Sequence, residues 1–496
     1  MGVVQRQGLK RSLVQFLGVA IGVVGTLYVY PRELSSYGLS QFLFNAAEFL
    51  GPFLTLGLSG MALRYFPVFQ EARSDRHGYL GLLMAVSAAS ILLLASGIWL
   101  FREQVFSFIA WAGLDAHLFT LNAWYVFALC VLGHFAGLFE LYASGFNRVV
   151  VPSVFNQLLP KAGLILLIGY ASVYGLREEH LKIGLLALSS LSVAGLALYL
   201  KHLGCWDLRI DRAFLAKAPL REMTSFAFYN ALAGLGLLLS FRIGNLLVAS
   251  LLNTHDAGVY SIGSFVSNAI DIPQAALLAV ATPIVAAYMR EADYEGIRTI
   301  YRKAGLSMLA IGLYLFLGVF LCLDDLFRLT PNYAKLTPAL TISAYLGLAK
   351  VTGSFAALGN AIIGFSRHYR LALPPLLLMA ALNLSLNFLL IPRMGVAGAA
   401  VSALVSMVLY QAIMIGMVHR LFGFHPFSRQ GLYLVLIAVP TGILGTQLPE
   451  ISHPLAGLAL RMGWVTLFFM GPVLWLRLSP DLNDTLGKVW RRIAAR

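Results

Sequence analysis

Residues 37–48 read YGLSQFLFNAAE, and residues 260–271 read YSIGSFVSNAID. Both stretches follow the pattern Tyr-x4-Phe-x2-Asn-Ala-x-acid, and each lies inside a long apolar segment. The acid is Glu48 in the first copy and Asp271 in the second. An ionised carboxylate is costly in hydrocarbon, so an acid at the same point of two related segments is a functional candidate. The repeat predicts a duplicated membrane transporter.

The composition places the chain in a membrane. Of its 496 residues, 59% are hydrophobic and 12% are charged, with a mean hydropathy of +0.78. Soluble domains are charged at about 25% of their positions. Apolar segments of about twenty residues, enough to cross a bilayer, recur along nearly the whole length. We therefore expect a polytopic, all-α membrane protein with no large soluble domain.

The pattern predicts fourteen membrane-spanning helices. Six fall in each half of the chain, and two follow. Their predicted ranges are 11–30, 39–63, 78–101, 120–143, 152–172, 182–200, 223–250, 256–288, 304–324, 337–360, 371–391, 396–419, 429–447 and 456–476.

The basic residues are sorted by side of the membrane, which explains the net charge of +14 without nucleic acid. With the N-terminus in the cytoplasm, most of the 36 lysines and arginines fall on the cytoplasmic side. Both termini are therefore predicted to be cytoplasmic. The basic start of the chain leads into a long first span without a cleavage site, so we expect no removed signal peptide. Eight basic residues fall on the opposite side: Arg32, Arg102, Arg177, Lys182, Arg328, Lys335, Arg393 and Arg461.

Two further pairs of matching segments support the duplication, because the two members of each pair are separated by nearly the same number of residues as the two copies of the motif. One joins residues 145–148 to residues 364–367, and the other joins Gly175 to Gly395. Because six helices is an even number, the copies have the same orientation, which predicts two lobes related by a pseudo-twofold axis with binding between them. The predicted divisions are an N-terminal lobe at 1–201, a cytoplasmic linker at 202–222, a C-terminal lobe at 223–420, and two extra helices with a basic tail at 421–496.

The chain resembles the Wzx-type flippases, the polysaccharide-transporter branch of the multidrug, oligosaccharidyl-lipid and polysaccharide exporter superfamily. The residues that carry this resemblance are Tyr37-Gly38, Leu56-Gly57-Leu58, Arg64-Tyr65-Phe66-Pro67, Gly258-Val259-Tyr260-Ser261, Asn387-Phe388, Ile391-Pro392 and Gly395-Val396-Ala397-Gly398-Ala399-Ala400. The resemblance implies alternating access by two six-helix lobes. It also implies a lipid-linked oligosaccharide as cargo, carried on a polyprenyl diphosphate for surface polysaccharide synthesis.

One departure concerns the cargo. Lipid II flippases of the superfamily carry an Arg-Asp pair near the start of the first helix, whereas residues 14–30 contain no charge here. The peptidoglycan precursor is therefore disfavoured as cargo.

Three cations fall within predicted spans: Lys161, Arg242 and Lys350. Each costs about 3 kcal/mol or more at membrane depth unless it faces water or a partner. One hypothesis is that they bind the diphosphate, for which Arg offers a bidentate fork and Lys a mobile charge. The alternative is an ion pair with Glu48, Asp271 or Glu140, or a side chain that snorkels to the interface.

The repeated polar residues allow two interpretations as well. Glu48 and Asp271 can couple transport to an H+ or Na+ gradient, or pair statically with the cations. Asn45 and Asn268 can hydrogen-bond sugars or bridge helices, and the structural role is favoured.

Arg148 and Arg367 lie in matching turns predicted to be cytoplasmic. They can gate the inner mouth or meet anionic headgroups, but the simpler explanation is the ordinary positive-inside bias.

The sequence argues against an enzyme. We find no GxxxxGK[ST] loop, no HExxH motif and no Cys/His cluster, so neither a nucleotide nor a metal cofactor is expected. The three cysteines are far apart and predicted to be reduced. The first alternative function is a multidrug/cation antiporter of the same superfamily, and a second is a glycan polymerase or ligase. Expected partners are lipid-linked oligosaccharide, membrane lipids, a glycan polymerase and glycosyltransferases, with no nucleic acid.

Overall fold

The computed structural model describes residues 3–66, 79–146, 148–175, 177–209, 221–228, 231, 242–330, 332–479 and 482–483. Within these residues the structure is helical, with no strand. The chain divides into two compact units, Met1–Gly258 and Val259–Arg496. The first unit includes residues 242–258, which the repeat assigns to the C-terminal lobe, and the lobe boundaries stay a prediction.

The first unit holds eleven labelled helices among its described residues, the last of which continues into the second unit. They are α1 (Val3–Val24), α2 (Leu34–Thr55), α3 (Leu58–Arg64), α4 (Tyr79–Leu100), α5 (Arg102–Trp111), α6 (Ala116–Gly145), α7 (Val150–Ser153), α8 (Leu159–Tyr174), α9 (Glu178–His202), α10 (Ile243–Leu251) and α11 (Thr254–Ser267). Short π and 3-10 segments extend α1 at Gly25–Val29 and Tyr30–Arg32, and a π segment at Val154–Leu158 joins α7 to α8.

The second unit continues with long helices. They are α12 (Asp271–Arg290), α13 (Tyr294–Arg328), α14 (Tyr333–Ala356), α15 (Leu358–Phe365), α16 (Leu373–Met394), α17 (Val396–Phe422), α18 (Arg429–Gly445), α19 (Pro454–Val465) and α20 (Gly471–Trp475). Two 3-10 segments lie at Asn268–Ile270 and Tyr369–Ala372, and a π segment lies at Thr466–Met470.

The predicted all-α membrane fold is confirmed. Ten helical segments of the described residues are long and apolar enough to cross a membrane, and the bent pair α14–α15 makes eleven. The predicted second and thirteenth spans appear as α2 and the shorter α18. The predicted span 223–250 lies only partly within the described residues, as do the cytoplasmic linker and the basic tail.

Large apolar side chains on the outside of the helices fit a lipid environment. Leu92, Leu166 and Val280 are 70%, 73% and 66% exposed. Soluble proteins rarely expose broad apolar surfaces of this kind, because water makes them costly. Hydrocarbon covers such side chains without cost, so the chain is a multi-pass membrane protein.

The predicted span at 39–63 is wrong in its bounds. The helix α2 begins earlier, at Leu34, and ends at Thr55, after which Leu56 and Gly57 adopt left-handed conformations with φ of 44° and 77°. A Cβ on Gly57 would lie 1.8 Å from the carbonyl oxygen of Ala227, so only glycine fits there. The close backbone approach interrupts a segment that is otherwise apolar enough to continue.

Each unit packs its own core. In the first, Phe66 meets the rings of Tyr142 and Phe146 edge-on at 5.7 and 4.8 Å. In the second, α13 packs against the two extra helices α18 and α19 through a cluster that includes Leu317 and Phe469. The extra helices therefore form part of the second unit.

Candidate functional site

The acid of the first repeat copy forms an ion pair. Nε of Arg242 lies 3.3 Å from Oε2 of Glu48. Glu48 lies on α2, and Arg242 is the residue that precedes α10. The two side chains are 47% and 58% exposed, respectively. Half-exposed charges at the depth of a span need water around them, which favours a hydrated cavity on this side of α2.

Asn45 lies one helical turn before Glu48 but has a different environment. It is 7% exposed, and its Nδ2 donates to Oδ1 of Asn245 at 3.1 Å. Nδ2 of Asn245 in turn donates to the carbonyl oxygen of Ala257 at 3.1 Å. Asn45 thus bridges α2 and α10 in this structure, the arrangement that the helix-bridging interpretation requires.

The acid of the second copy is also paired. Nζ of Lys350 on α14 lies 2.5 Å from Oδ2 of Asp271, with side-chain exposures of 24% and 39%. Asp271 is the first residue of α12. A 3-10 segment, Asn268–Ile270, precedes it and joins α11 to α12 within the helical span Thr254–Arg290. Asn268 is exposed, unlike Asn45 in the first copy.

Further polar residues of the second unit lie on the same face of α14 as Lys350, and sequence reasoning did not identify them. Ser343 donates to the carbonyl oxygen of Gly263 at 3.3 Å, and Ser354 donates to Oε1 of Gln274 at 2.8 Å. Ser343, Lys350 and Ser354 lie seven and four residues apart, on one face of α14. A search for polar residues at helical spacing around Lys350 would have found this face.

Lys161 differs from the other two cations. It lies on α8, near the middle of the span Val150–Tyr174 and just after the π segment. It is half-buried, and no carboxylate oxygen among the described residues lies within 4 Å of it. A Cβ placed on Gly18 of α1 would lie 3.5 Å from its Nζ. The ammonium group of Lys161 therefore lies beside Gly18 of α1, and no carboxylate of the described residues neutralises it.

Arg148 and Arg367 are both exposed, in the turns after α6 and α15. Their environment matches the positive-inside explanation, and their role as a gate stays a prediction. Glu140, the other carboxylate considered for the cations, accepts a hydrogen bond from Nδ2 of Asn156 at 2.5 Å. Asn156 belongs to the π segment that precedes Lys161's helix.

A buried ion pair in the second unit was also missed. Asp325 on α13 is 1% exposed and lies 3.2 Å from Nε of Arg461 on α19. The neighbouring Arg328 pairs with Asp324 at 2.9 Å and with Glu450 at 3.1 Å. These contacts fasten the extra helices to α13. The adjacent acids at the end of the predicted span 304–324 were the available signal.

No cluster of His, Cys, Asp and Glu suited to a metal ion occurs among the residues that the structure describes. Among the described residues, the first unit holds the ion pair of Glu48 and Arg242 together with Lys161, which has no carboxylate partner there, and the second unit holds the ion pair of Asp271 and Lys350. Such an arrangement can exchange a carboxylate for another anion without any covalent chemistry.

The structure is similar to solved transporters. A lipid II flippase, MurJ, in an inward closed conformation superimposes with a TM-score of 0.68 over 95% of this chain and 99% of that chain, at 11% identity. An inward-facing multidrug resistance transporter of the MATE family gives 0.57 over 83% and 94%, at 16% identity. A MATE transporter from Vibrio cholerae gives 0.53 over 85% and 98%, at 13% identity.

These comparisons establish the fold. The inward-facing MATE transporter is described as a member of the MOP superfamily, the superfamily that the sequence resembles. A scan against models of protein families gave no match, and a search of curated proteins gave none either.

Proposed function

We propose that this chain, which has the fold of lipid flippases and multidrug exporters, flips a polyprenyl-diphosphate-linked oligosaccharide from the inner to the outer leaflet of the bacterial cytoplasmic membrane. It acts as a secondary transporter by alternating access, without an enzymatic step. Glycosyltransferases supply the cargo on the cytoplasmic side, and a polymerase uses it outside to build surface polysaccharide such as the O-antigen of lipopolysaccharide. Both termini lie in the cytoplasm.

The observation that carries the proposal is the cation Lys161, which has no carboxylate partner among the residues that the structure describes. A lysine in the middle of a span is costly unless an anion or water stabilises it. Glu48 and Asp271 are engaged by Arg242 and Lys350, so neither compensates Lys161 in this structure. A diphosphate supplies negative charge and several strong acceptor oxygens, which is the chemistry that a free ammonium group binds.

The two ion pairs supply further cationic groups. Their side chains are between 24% and 58% exposed, so an incoming anion can reach them. Arg242 offers a planar fork suited to a phosphate, and Lys350 offers a point charge. When phosphate oxygens take the place of the carboxylates, Glu48 and Asp271 are freed to bind H+ or Na+. Such an exchange would couple transport to an ion gradient, and the glycan would meet the exposed Asn268.

The decisive experiment is a flipping assay in proteoliposomes. The purified protein is reconstituted with a fluorescent polyprenyl-diphosphate oligosaccharide, and a membrane-impermeant quencher reports the fraction in the outer leaflet. Lys161→Ala should slow flipping, whereas Lys161→Arg should retain part of the rate because the charge stays. Lys335→Ala removes an exposed lysine outside this site and serves as the matched control. A rate unchanged in a correctly folded Lys161→Ala protein would refute the assignment.

The alternative of a multidrug/cation antiporter is tested in the same vesicles. Half-exposed carboxylates favour it, because Glu48 and Asp271 would bind a cationic drug once their partners move away. Transport of a cationic dye with no movement of the glycan lipid would establish this alternative. Deletion of the gene followed by inspection of surface polysaccharide, with complementation by wild type and by Arg242→Ala, provides the test in cells.

A further inference from the structure

The residues that begin the second repeat hold tightly to α2 of the first. We call this contact the clasp; it joins residues 34–48 and Asp115 to residues 242–258, all within the first unit. The partners Asn45 and Asn245 lie 200 positions apart in the sequence. The helices α2 and α11 meet through their backbones: a Cβ on Gly38 would lie 1.7 Å from the carbonyl oxygen of Thr254, and a Cβ on Gly258 would lie 2.4 Å from that of Leu34.

The contacts of the clasp follow one another along α2. At the end where α2 begins, the backbone N–H of Asp115 donates to the carbonyl oxygen of Ser250 at 2.9 Å. The glycine contacts come next, followed by the buried hydrogen bond between Asn45 and Asn245. The contacts of Gly38, Gly258 and the two asparagines are therefore buried, whereas Asp115 at the beginning of the series is exposed.

The last contact of the series is of another kind. Glu48 and Arg242 form a half-exposed ion pair, so an anion from solution can reach the arginine of this contact. A half-exposed ion pair in water contributes little by itself, and a stronger anion displaces its carboxylate readily. The ion pair of Glu48 and Arg242 is thus both accessible and weak.

We propose that the clasp is a gate released by the cargo, in which the diphosphate competes with Glu48 for Arg242 and thereby loosens the attachment of residues 242–258 to α2. This inference rests on the proposed function, because it takes the diphosphate as the anion. The clasp lies at the end of α2 predicted to face outward, so its release opens the site to the outer side. In this proposal Arg242 binds the diphosphate of the cargo, and the resulting loss of its contact with Glu48 releases the clasp.

The first test locks the clasp. Asp115→Cys and Ser250→Cys are combined in a chain whose cysteines, Cys130, Cys205 and Cys322, are replaced by alanine. The backbones of residues 115 and 250 are joined by a hydrogen bond, a separation typical of disulfide-linked residues. Oxidation should stop glycan-lipid flipping, and reduction of the same sample should restore it. Each single-cysteine chain is the control, since oxidation should leave its rate unchanged.

The second test measures release directly, without transport. In the reduced double-cysteine protein, the rate of disulfide formation reports how long the clasp stays closed. Vesicles with undecaprenyl diphosphate should lower this rate by about fivefold or more, the lower end of ordinary coupling between sites. Vesicles with the polyprenyl alcohol, which lacks the diphosphate, should leave it unchanged. Glu48→Gln should lower the basal rate and remove most of the response.

The outcomes separate the two proposals. Flipping that continues at full rate in the completely oxidised protein would refute the gate and leave the proposed function intact. If undecaprenyl diphosphate leaves the rate of disulfide formation unchanged, the proposal that the cargo releases the clasp is refuted. If the reduced protein flips no glycan lipid in any sample, the proposed function is refuted. The rate of disulfide formation with and without the diphosphate would still show whether a diphosphate releases the clasp.

Discussion

The glycine contact between α2 and α11 gives a sharp prediction for Gly38→Ala. The added Cβ would lie 1.7 Å from the carbonyl oxygen of Thr254 and 2.7 Å from the backbone nitrogen of Gly258. Carbon and backbone oxygen atoms do not approach within about 3.0 Å, so the two helices must separate by more than 1 Å. Both groups in conflict belong to the backbone and cannot rotate away.

The cost follows from what that separation breaks. A shift of this size takes the 3.1 Å hydrogen bond between Asn45 and Asn245 beyond bonding distance. Losing it costs about 1 kcal/mol, and overpacking at a helix contact costs about 1–3 kcal/mol. Replacing a helical glycine by alanine returns about 1 kcal/mol of helix propensity. We therefore expect a net loss of about 1–3 kcal/mol.

The control is Gly51→Ala on the same helix. A Cβ there meets nothing within 4 Å, so this substitution gains propensity without a clash. Thermal unfolding in detergent, followed by a thiol-reactive fluorophore that reports exposure of the buried Cys130 and Cys205, compares the two variants. The melting temperature should fall for Gly38→Ala and stay level or rise for Gly51→Ala. Equal melting temperatures would refute the backbone contact on which the clasp depends.

Three further predictions concern buried pairs and backbone geometry. Arg461→Met should lower the free energy of unfolding by about 3–5 kcal/mol, and with it the melting temperature, because it leaves the 1% exposed Asp325 without its cationic partner. Adding Asp325→Asn should recover most of this loss. A double variant as unstable as Arg461→Met alone would contradict the prediction. Gly57→Ala should destabilise more than Gly175→Ala when both melting curves are compared, since both glycines have positive φ but only Gly57 also meets a backbone oxygen, at 1.8 Å. Lys350→Met should slow glycan-lipid flipping in the proteoliposome assay, and an unchanged rate would remove this lysine from the site.

Much of the fold was predictable because span formation depends on local properties. A run of apolar residues that satisfies its own backbone hydrogen bonds crosses a bilayer wherever it occurs, so helices such as Tyr79–Leu100 appear almost where the sequence places them. The break at Leu56–Gly57 was not predictable in this way. It depends on the approach of Ala227 from far along the chain.

The site shows the same division between local and long-range information. The repeated motif identified Glu48 and Asp271 as charges within spans, and composition identified three cations. The two asparagines at matching positions nevertheless differ: Asn45 is buried against Asn245, whereas Asn268 is exposed. Identical residue types at matching sequence positions therefore have different environments: Asn45 lies inside the α-helix α2, whereas Asn268 lies in a 3-10 turn of the helical span Thr254–Arg290.

The sequence by itself determined that this is a many-helix membrane protein with charges at span depth, since apolar length and residue type are properties of each segment alone, and the duplication that it predicts stays a prediction. Only the tertiary structure decided that Glu48 pairs with Arg242, that Asp271 pairs with Lys350, and that Lys161 has no carboxylate partner among the described residues. An ion pair depends on a few ångströms between atoms on different helices, and helix packing alone sets that distance.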